Sequence, residues 1–137
     1  MSLVIDSSIT LAWFFDDERS DSADAIMQSV SKTGAIVPSL WRLEIANALL
    51  MAIRRKRIDA RFCDASLAAL RSFPISVDSE TDRHAWSPTL ALAERCKLTV
   101  YDAAYLELAQ RLHLPLATID QDLRKACRTV HVVARPA

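Results

Sequence analysis

The chain of 137 residues contains a single glycine, Gly34. Glycine allows a backbone to approach a phosphate closely, and both the dinucleotide fingerprint and the P-loop need more than one. A chain with one glycine therefore cannot contain either motif. Any phosphate that this protein handles must be held by side chains or by a metal ion.

The composition predicts one self-sufficient domain over residues 1–137. A hydrophobic fraction of 51% is enough to bury a core at this length without disulfides or a structural metal. The three cysteines, Cys63, Cys96 and Cys127, are far apart and form no Cys-x-x-Cys pair. This usage favours buried thiols in a reducing cytosol over a zinc ribbon or a secreted disulfide framework.

The apolar segments are too short for a secretory signal or a membrane span. The apolar start of the chain meets Asp6 before a signal-peptide core can develop. The longest apolar run, residues 45–53, is interrupted by Asn47 and cannot cross a bilayer. We therefore expect a cytoplasmic protein.

The net charge is zero, since 17 basic residues balance 17 acidic residues, but the charges alternate in blocks. Residues 1–53 and 74–122 each carry a net charge of −4, and residues 54–73 and 123–137 each carry +4. The total argues against a general polycation that coats nucleic acid. The blocks are either ordinary solvated faces or an acidic pocket with basic surroundings.

Short apolar runs alternate with helical periodicity, which predicts an α/β fold: a three-layer α/β/α sandwich with a central, mostly parallel sheet. The predicted strands are residues 3–5, 35–37, 75–77, 116–119 and 130–133. The predicted helices are residues 21–33, 40–57 with Ser39 as cap, 62–73, 82–97 with a kink or restart at Pro88, 102–113 and 121–127.

Most aromatic side chains are expected to pack in the core, because large apolar rings are usually buried. This expectation covers Trp13, Phe14, Phe15, Trp41 and Trp86, with a partner surface as the alternative, and it assigns Tyr105 to packing as well.

Two acids directly follow predicted strands. Asp6 follows the first strand, and Asp120 follows the strand that begins at Leu116. Ligands of open parallel sheets bind at the carboxyl ends of the strands, so both acids should lie at one edge of the sheet. Aspartate is also a preferred helix N-cap, which is the alternative explanation for each.

Glu44 lies on a helix face that otherwise looks apolar, with Leu40, Leu43 and Met51 at neighbouring positions and Asn47 beside it. If that face packs against the sheet, the carboxylate is buried. A buried, unpaired carboxylate costs several kcal/mol, so it needs an arginine, a proton or a cation.

Asp102 is the fourth candidate acid. It lies at an apolar-to-helix junction, and it too has an N-cap alternative. The four acids have no histidine or cysteine nearby in sequence, so they suit Mg²⁺ or Mn²⁺ rather than Zn²⁺. Carboxylates held together raise each other's pKa unless a cation neutralises them. Mg²⁺ held by few carboxylates keeps waters, one of which can attack phosphorus, so the chemistry predicted is phosphodiester hydrolysis.

Four segments together resemble a PIN-domain ribonuclease, and specifically a VapC-type toxin of a type II toxin-antitoxin system. They are Val4-Ile5-Asp6-Ser7-Ser8, Leu43-Glu44-Ile45-Ala46-Asn47-Ala48-Leu49, Leu98-Thr99-Val100-Tyr101-Asp102-Ala103-Ala104-Tyr105 and Leu116-Ala117-Thr118-Ile119-Asp120-Gln121-Asp122-Leu123. Each segment alone is weak. The four in this order, over nearly the whole chain, are specific.

The resemblance implies that Asp6, Glu44, Asp102 and Asp120 bind one or two Mg²⁺ or Mn²⁺ ions and carry the catalysis. It also implies supporting positions, which are Ser7, Asn47, Thr118 and Asp122, although an acid in the first turn of a helix, as at position 122, stabilises the helix in any case.

The resemblance further implies an endoribonuclease toxin that cleaves tRNA or other structured or single-stranded RNA. Such proteins form homodimers and are neutralised by a cognate, VapB-like antitoxin, which provides the only link to DNA. The chain departs from relatives at Lys97 and His113, which stand where they often place glycine at helix ends.

Arg54, Arg55 and Arg57 end the helix that carries Glu44 and are candidate RNA-binding residues. Cations also stabilise a helix C-terminus, so a purely structural role is an equal alternative.

Two other functions are open. A catalytically silent PIN-like module would bind RNA or protein, with its carboxylates acting as caps and ion-pair partners. A small phosphatase or receiver-type domain also places acids at strand ends, but here Asp16 and Asp17 do not follow a strand and no lysine follows a late one.

Overall fold

A computed structural model describes residues 3–137 and places one parallel sheet at the centre of the chain. Its strands are β1 (Val4–Ile5), β2 (Ala35–Val37), β3 (Ile75–Val77), β4 (Leu116–Ala117) and β5 (Ala134–Arg135). The order across the sheet is β3-β2-β1-β4-β5, and every neighbouring pair is parallel. The first strand is therefore the central one.

Helices connect the strands and cover both faces of the sheet. They are α1 (Ser7–Ala12), α2 (Asp21–Thr33), α3 (Trp41–Arg54), α4 (Ala60–Ser72), α5 (Thr81–His84), α6 (Leu90–Cys96), α7 (Val100–Leu112) and α8 (Gln121–Val130), with a short 3-10 turn at Asp16–Glu18. The predicted three-layer α/β/α architecture is confirmed.

β1 and the middle of α7 are deeply buried. Val4 and Ile5 are completely buried, and α7 is buried continuously over residues 103–109. Asp6 directly follows β1, and Asp102 lies in the first turn of α7. Both acids are therefore attached to tightly packed elements, which are the least mobile parts of a fold. No helix in residues 3–137 is long and apolar enough to span a membrane.

The last strand does not lie where the sequence predicted it. Residues 130–133 were expected to form it, but Val130 ends α8, and the strand begins at Ala134, opposite Leu116. Val130 belongs to an apolar helical stripe that also includes Leu123 and Cys127, and burying this stripe extends the helix. The preceding strand is also shorter than expected, since β4 ends at Ala117.

One predicted helix feature is wrong and another is confirmed. Ser39 does not cap α3, because Leu40 occupies the N-cap position without a side-chain hydrogen bond. The predicted helix over residues 82–97 is interrupted at Pro88, as expected, by a wide π-type turn, Ala85–Thr89. Proline has no N–H for a helical hydrogen bond, which explains why the break falls there.

Helix ends take the left-handed conformation without glycine. Lys97 has φ 56° and His113 has φ 55° at the ends of α6 and α7. In each case the following leucine donates its N–H to a carbonyl five residues back, at 2.9 Å for Leu98 and 3.0 Å for Leu114, and its side chain packs on the core. These bonds and contacts offset the steric cost of the left-handed residue.

The aromatic prediction holds for Trp13 and Trp41, which are 4% and 5% exposed, and is wrong for Trp86, which is 93% exposed. Trp86 lies in the π-type turn, which directs it away from the core.

Candidate active site

Asp6 is a buried carboxylate held by three neighbours. It accepts hydrogen bonds from the backbone N–H of Ile9 at 3.0 Å, from the Ser8 hydroxyl at 2.7 and 2.9 Å, and from the Thr118 hydroxyl. It therefore caps α1, as the alternative explanation required. Burial nevertheless raises its pKa to about 6, because the hydrogen bonds only partly offset the loss of water.

Glu44 lies on α3, beside the helix face that packs on the core. The prediction of an apolar stripe around it is wrong, since Leu43 is 75% exposed and the core side of α3 is formed by Trp41, Ile45 and Leu49. The carboxylate is half-buried, and its Oε1 accepts hydrogen bonds from the hydroxyls of Ser7, at 2.7 Å, and Tyr105.

Asp102 is not the N-cap of its helix. Thr99 caps α7 by accepting the backbone N–H of Asp102 at 3.1 Å, so the capping alternative for Asp102 is wrong. Burial raises the pKa of the Asp102 carboxyl, and the negative charges of Asp120 and Glu44 raise it further. This carboxylate therefore lies within electrostatic reach of two other predicted site residues.

Asp120 caps α8 through Oδ2, which accepts the Leu123 N–H at 2.9 Å. Its own N–H donates to the Thr118 hydroxyl oxygen at 3.0 Å, and the same hydroxyl donates to Asp6. Thr118 thus links two acids that are 114 positions apart in sequence. Asp122 is exposed in the first turn of α8, and its charge also contributes to the raised pKa of Asp102.

The acids share one region of negative charge without an internal counter-ion. Within residues 3–137, no lysine, arginine or histidine forms an ion pair with Asp6, Glu44, Asp102 or Asp120. Within residues 3–137, no three or more acidic, histidine or cysteine side chains stand close enough together to hold a metal ion as they are placed. The donor chemistry, carboxylate oxygens with unrelieved repulsion, suits a hard divalent cation.

Sequence reasoning missed the roles of Ser8 and Tyr105. Tyr105 packs as expected, with 1% exposure, but its hydroxyl donates to Glu44, and both burial and that hydrogen bond raise its pKa far above the usual range. A buried tyrosine needs a partner for its hydroxyl, and that rule was the available signal. Asn47 is exposed, and no hydrogen bond joins it to the acids among the described residues.

The three candidate RNA-binding arginines differ in their surroundings. Arg57 donates to Asp17 at 2.6 Å and to Glu18 at 2.7 Å, and its guanidinium lies 4.1 Å from the centre of the Phe15 ring. Arg54 and Arg55 are exposed and form no ion pair within residues 3–137. Arg57 is therefore already neutralised by two acids, and of the three arginines only Arg54 and Arg55 have charges that no acid in residues 3–137 neutralises.

The order of the parallel sheet fits a PIN domain, and the PIN domain family model matches residues 3–129. The chain therefore belongs to the PIN domain family, and within it to the VapC type. The receiver-type alternative is thereby wrong.

Ribonuclease VapC3 of Mycobacterium tuberculosis is 31% identical over 116 residues, which cover 83% of this chain and 80% of that protein. Ribonuclease VapC3 of Pyrobaculum aerophilum is 29% identical over 123 residues, which cover 90% of this chain and 92% of that protein. The crystal structure of PAE2754 from Pyrobaculum aerophilum has the same fold, with a TM-score of 0.70, 24% identity, and coverage of 98% of this chain and 83% of that one.

Proposed function

We propose that this chain is a Mg²⁺- or Mn²⁺-dependent endoribonuclease toxin. The observation that carries the proposal is the group of four acids, Asp6, Glu44, Asp102 and Asp120, drawn from separate segments without a cation paired to any of them in residues 3–137. The names of the VapC3 relatives support ribonuclease activity. A protein that only used these acids as caps would have no reason to keep Asp102 beside them, since Thr99 caps its helix.

We assign different roles to the four acids. Asp6, Asp102 and Asp120 would hold the ion, and Glu44 would act as a further ligand or as the base that orients the attacking water. A bound Mg²⁺ or Mn²⁺ would neutralise the carboxylates and stabilise the charge that develops on the phosphate. Thr118 and Ser8 keep the Asp6 carboxylate in one orientation, and Asp120 has one oxygen on its cap and the other available for a ligand.

The proposal is tested by Asp102→Asn. We expect at least about 100-fold loss of RNA cleavage with Mg²⁺ or Mn²⁺, together with loss of Mn²⁺ binding in calorimetry, because the variant removes one ligand of the ion. Chelator should stop cleavage by the wild type. The matched control is Asp64→Asn, since Asp64 is an exposed acid on α4, away from the site.

Cleavage that persists in chelator would contradict metal dependence. A wild type that binds no Mn²⁺ and cleaves no RNA would instead identify the catalytically silent PIN-like module.

RNA binding by Arg54 and Arg55 gives a separate prediction. Replacing both with alanine should weaken RNA binding and reduce the slope of log affinity against log salt by roughly 1 for each phosphate that is no longer bound, because fewer counterions are released. Arg57→Ala is the matched control, since Asp17 and Glu18 already neutralise that side chain. Fluorescence anisotropy at several salt concentrations measures the effect. Equal slopes for the double variant and the wild type would refute this role of the two arginines.

The remaining parts of the proposal concern location and partners. We place the protein in the cytoplasm, as a homodimer that cleaves tRNA or other structured or single-stranded RNA and is neutralised by a VapB-like antitoxin, with DNA reached only through that antitoxin. The VapC resemblance supports these partners. Two large apolar side chains lie on the surface, since Trp86 is 93% exposed and Leu43 is 75% exposed. Exposed apolar side chains of this kind are compatible with contacts to protein partners.

A further inference from the structure

Two hydroxyl groups converge on one oxygen of Glu44. The Ser7 Oγ lies 2.7 Å from Glu44 Oε1, and the Tyr105 hydroxyl donates to the same oxygen. The two hydroxyl oxygens are themselves 3.1 Å apart. We call Ser7 and Tyr105 together the hydroxyl pair.

The hydroxyl pair joins the three segments that carry Asp6, Glu44 and Asp102. Ser7 begins α1, immediately after Asp6, and Tyr105 lies one turn after Asp102 on α7. Tyr105 is 1% exposed, so packing fixes its ring and with it the direction of the hydroxyl. The position of Glu44 is thus set by Ser7 and Tyr105, which are attached to the same elements as Asp6 and Asp102.

The two bonds also distinguish the oxygens of Glu44. A carboxylate oxygen has two lone pairs, and two donors use both on Oε1. Ser7 and Tyr105 form no hydrogen bond to the other oxygen of Glu44, Oε2. The second oxygen is therefore the one available for further bonding.

We propose that Ser7 and Tyr105 are positioning residues that hold Glu44 by Oε1, so that Glu44 offers only Oε2 to the ion or to the attacking water. This inference rests on the proposed function. Removing a hydroxyl should let the carboxylate rotate between orientations. The expected result is weaker ion binding and slower cleavage without loss of the fold, because neither hydroxyl contacts the ion itself.

The test uses Tyr105→Phe and Ser7→Ala, with Mn²⁺ alone as the calorimetric probe. Partners that orient metal ligands typically contribute 10- to 100-fold to metal affinity or activity, so we expect Mn²⁺ affinity to fall by roughly 10-fold in each variant. The rate constant kcat should fall while KM for RNA stays unchanged. The matched control for binding is Tyr101→Phe, one turn earlier on α7 and 65% exposed.

A double-mutant cycle separates positioning from general packing. In a Glu44→Ala background, Tyr105→Phe should cause no further loss of Mn²⁺ affinity, because the carboxylate on which it acts is gone. A loss of the same size in both backgrounds would overturn the inference. Should Tyr105→Phe fail to fold, Ser7→Ala, at a partly exposed position, carries the same cycle.

The outcomes also separate the two proposals. If the wild type binds Mn²⁺ and Asp102→Asn abolishes binding, but neither Tyr105→Phe nor Ser7→Ala changes affinity, only the positioning role is refuted. If the wild type binds no Mn²⁺, the proposed function and this inference both fail.

Discussion

Asp6→Asn is expected to abolish RNA cleavage while leaving the metal-free protein at least as stable as the wild type. An ion that stabilises transition-state charge contributes several kcal/mol, so losing its buried ligand should lower the rate on the order of 10³-fold or more. Cleavage assays with Mn²⁺ measure this loss. Activity within about tenfold of the wild type would refute the role of Asp6, since that corresponds to only about 1.4 kcal/mol.

The stability of the same variant follows from the raised pKa of Asp6. Because its folded pKa of about 6 lies above the ordinary 3.8, the folded state binds this proton more tightly than the unfolded state. The carboxylate therefore destabilises the fold progressively as pH rises from 3.8 to 6, by about 3 kcal/mol at neutral pH. Asparagine carries no such charge, although it accepts the hydrogen bonds from Ser8, Ile9 and Thr118 less well.

Thermal unfolding in chelator measures this difference. We expect the Tm of Asp6→Asn, relative to the wild type, to be higher at pH 8 than at pH 4. Asp64→Asn, at an exposed site, should show no such change. A variant that is less stable than the wild type at pH 8 and equal to it at pH 4 would contradict burial as the cause.

Arg111→Ala is expected to lower the free energy of unfolding by roughly 3–5 kcal/mol. Arg111 lies 2.7 Å from Asp78 and 2.8 Å from Glu107, and the three side chains are 18%, 7% and 6% exposed. Removing the guanidinium leaves two buried carboxylates without a counter-ion. Urea unfolding at pH 7 measures the loss. Arg83→Ala is the control, because its ion pair with Glu80 is exposed and such pairs contribute about 0–1 kcal/mol.

The effect of Arg111→Ala should depend on pH. Burial tends to raise the pKa of Asp78, but the hydrogen bonds from Arg111 and Thr81 outweigh it and lower that pKa. In the wild type, this contribution to stability is present above pH 3.8 and is lost as pH falls through the folded pKa. In the variant the hydrogen bond from Thr81 remains but the charge of Arg111 is gone, so burial is less fully offset and protonation of Asp78 relieves part of the penalty. We expect a smaller gap between variant and wild type at pH 4.5 than at pH 7.5, and a constant gap would contradict the assignment.

The sequence predicted most of the elements but not all of their ends. The strand at Ala35–Val37 and the helix at Asp21–Thr33 were placed to the residue, because an apolar run and a helical stripe are local patterns. The last strand was misplaced because Val130 fits either a strand or a helical stripe. Packing of α8 decided between them.

The sequence by itself determined which acids stand at element junctions, and it determined that phosphate could not be held by a glycine loop. Both follow from residue identity and spacing along the chain. Only the tertiary structure showed that Thr99, not Asp102, caps α7, that Arg57 is held by Asp17 and Glu18, and that Tyr105 reaches Glu44 across 61 positions. The physical reason is range: periodicity reports neighbours within a turn or two, whereas these pairings depend on how whole helices pack against one sheet.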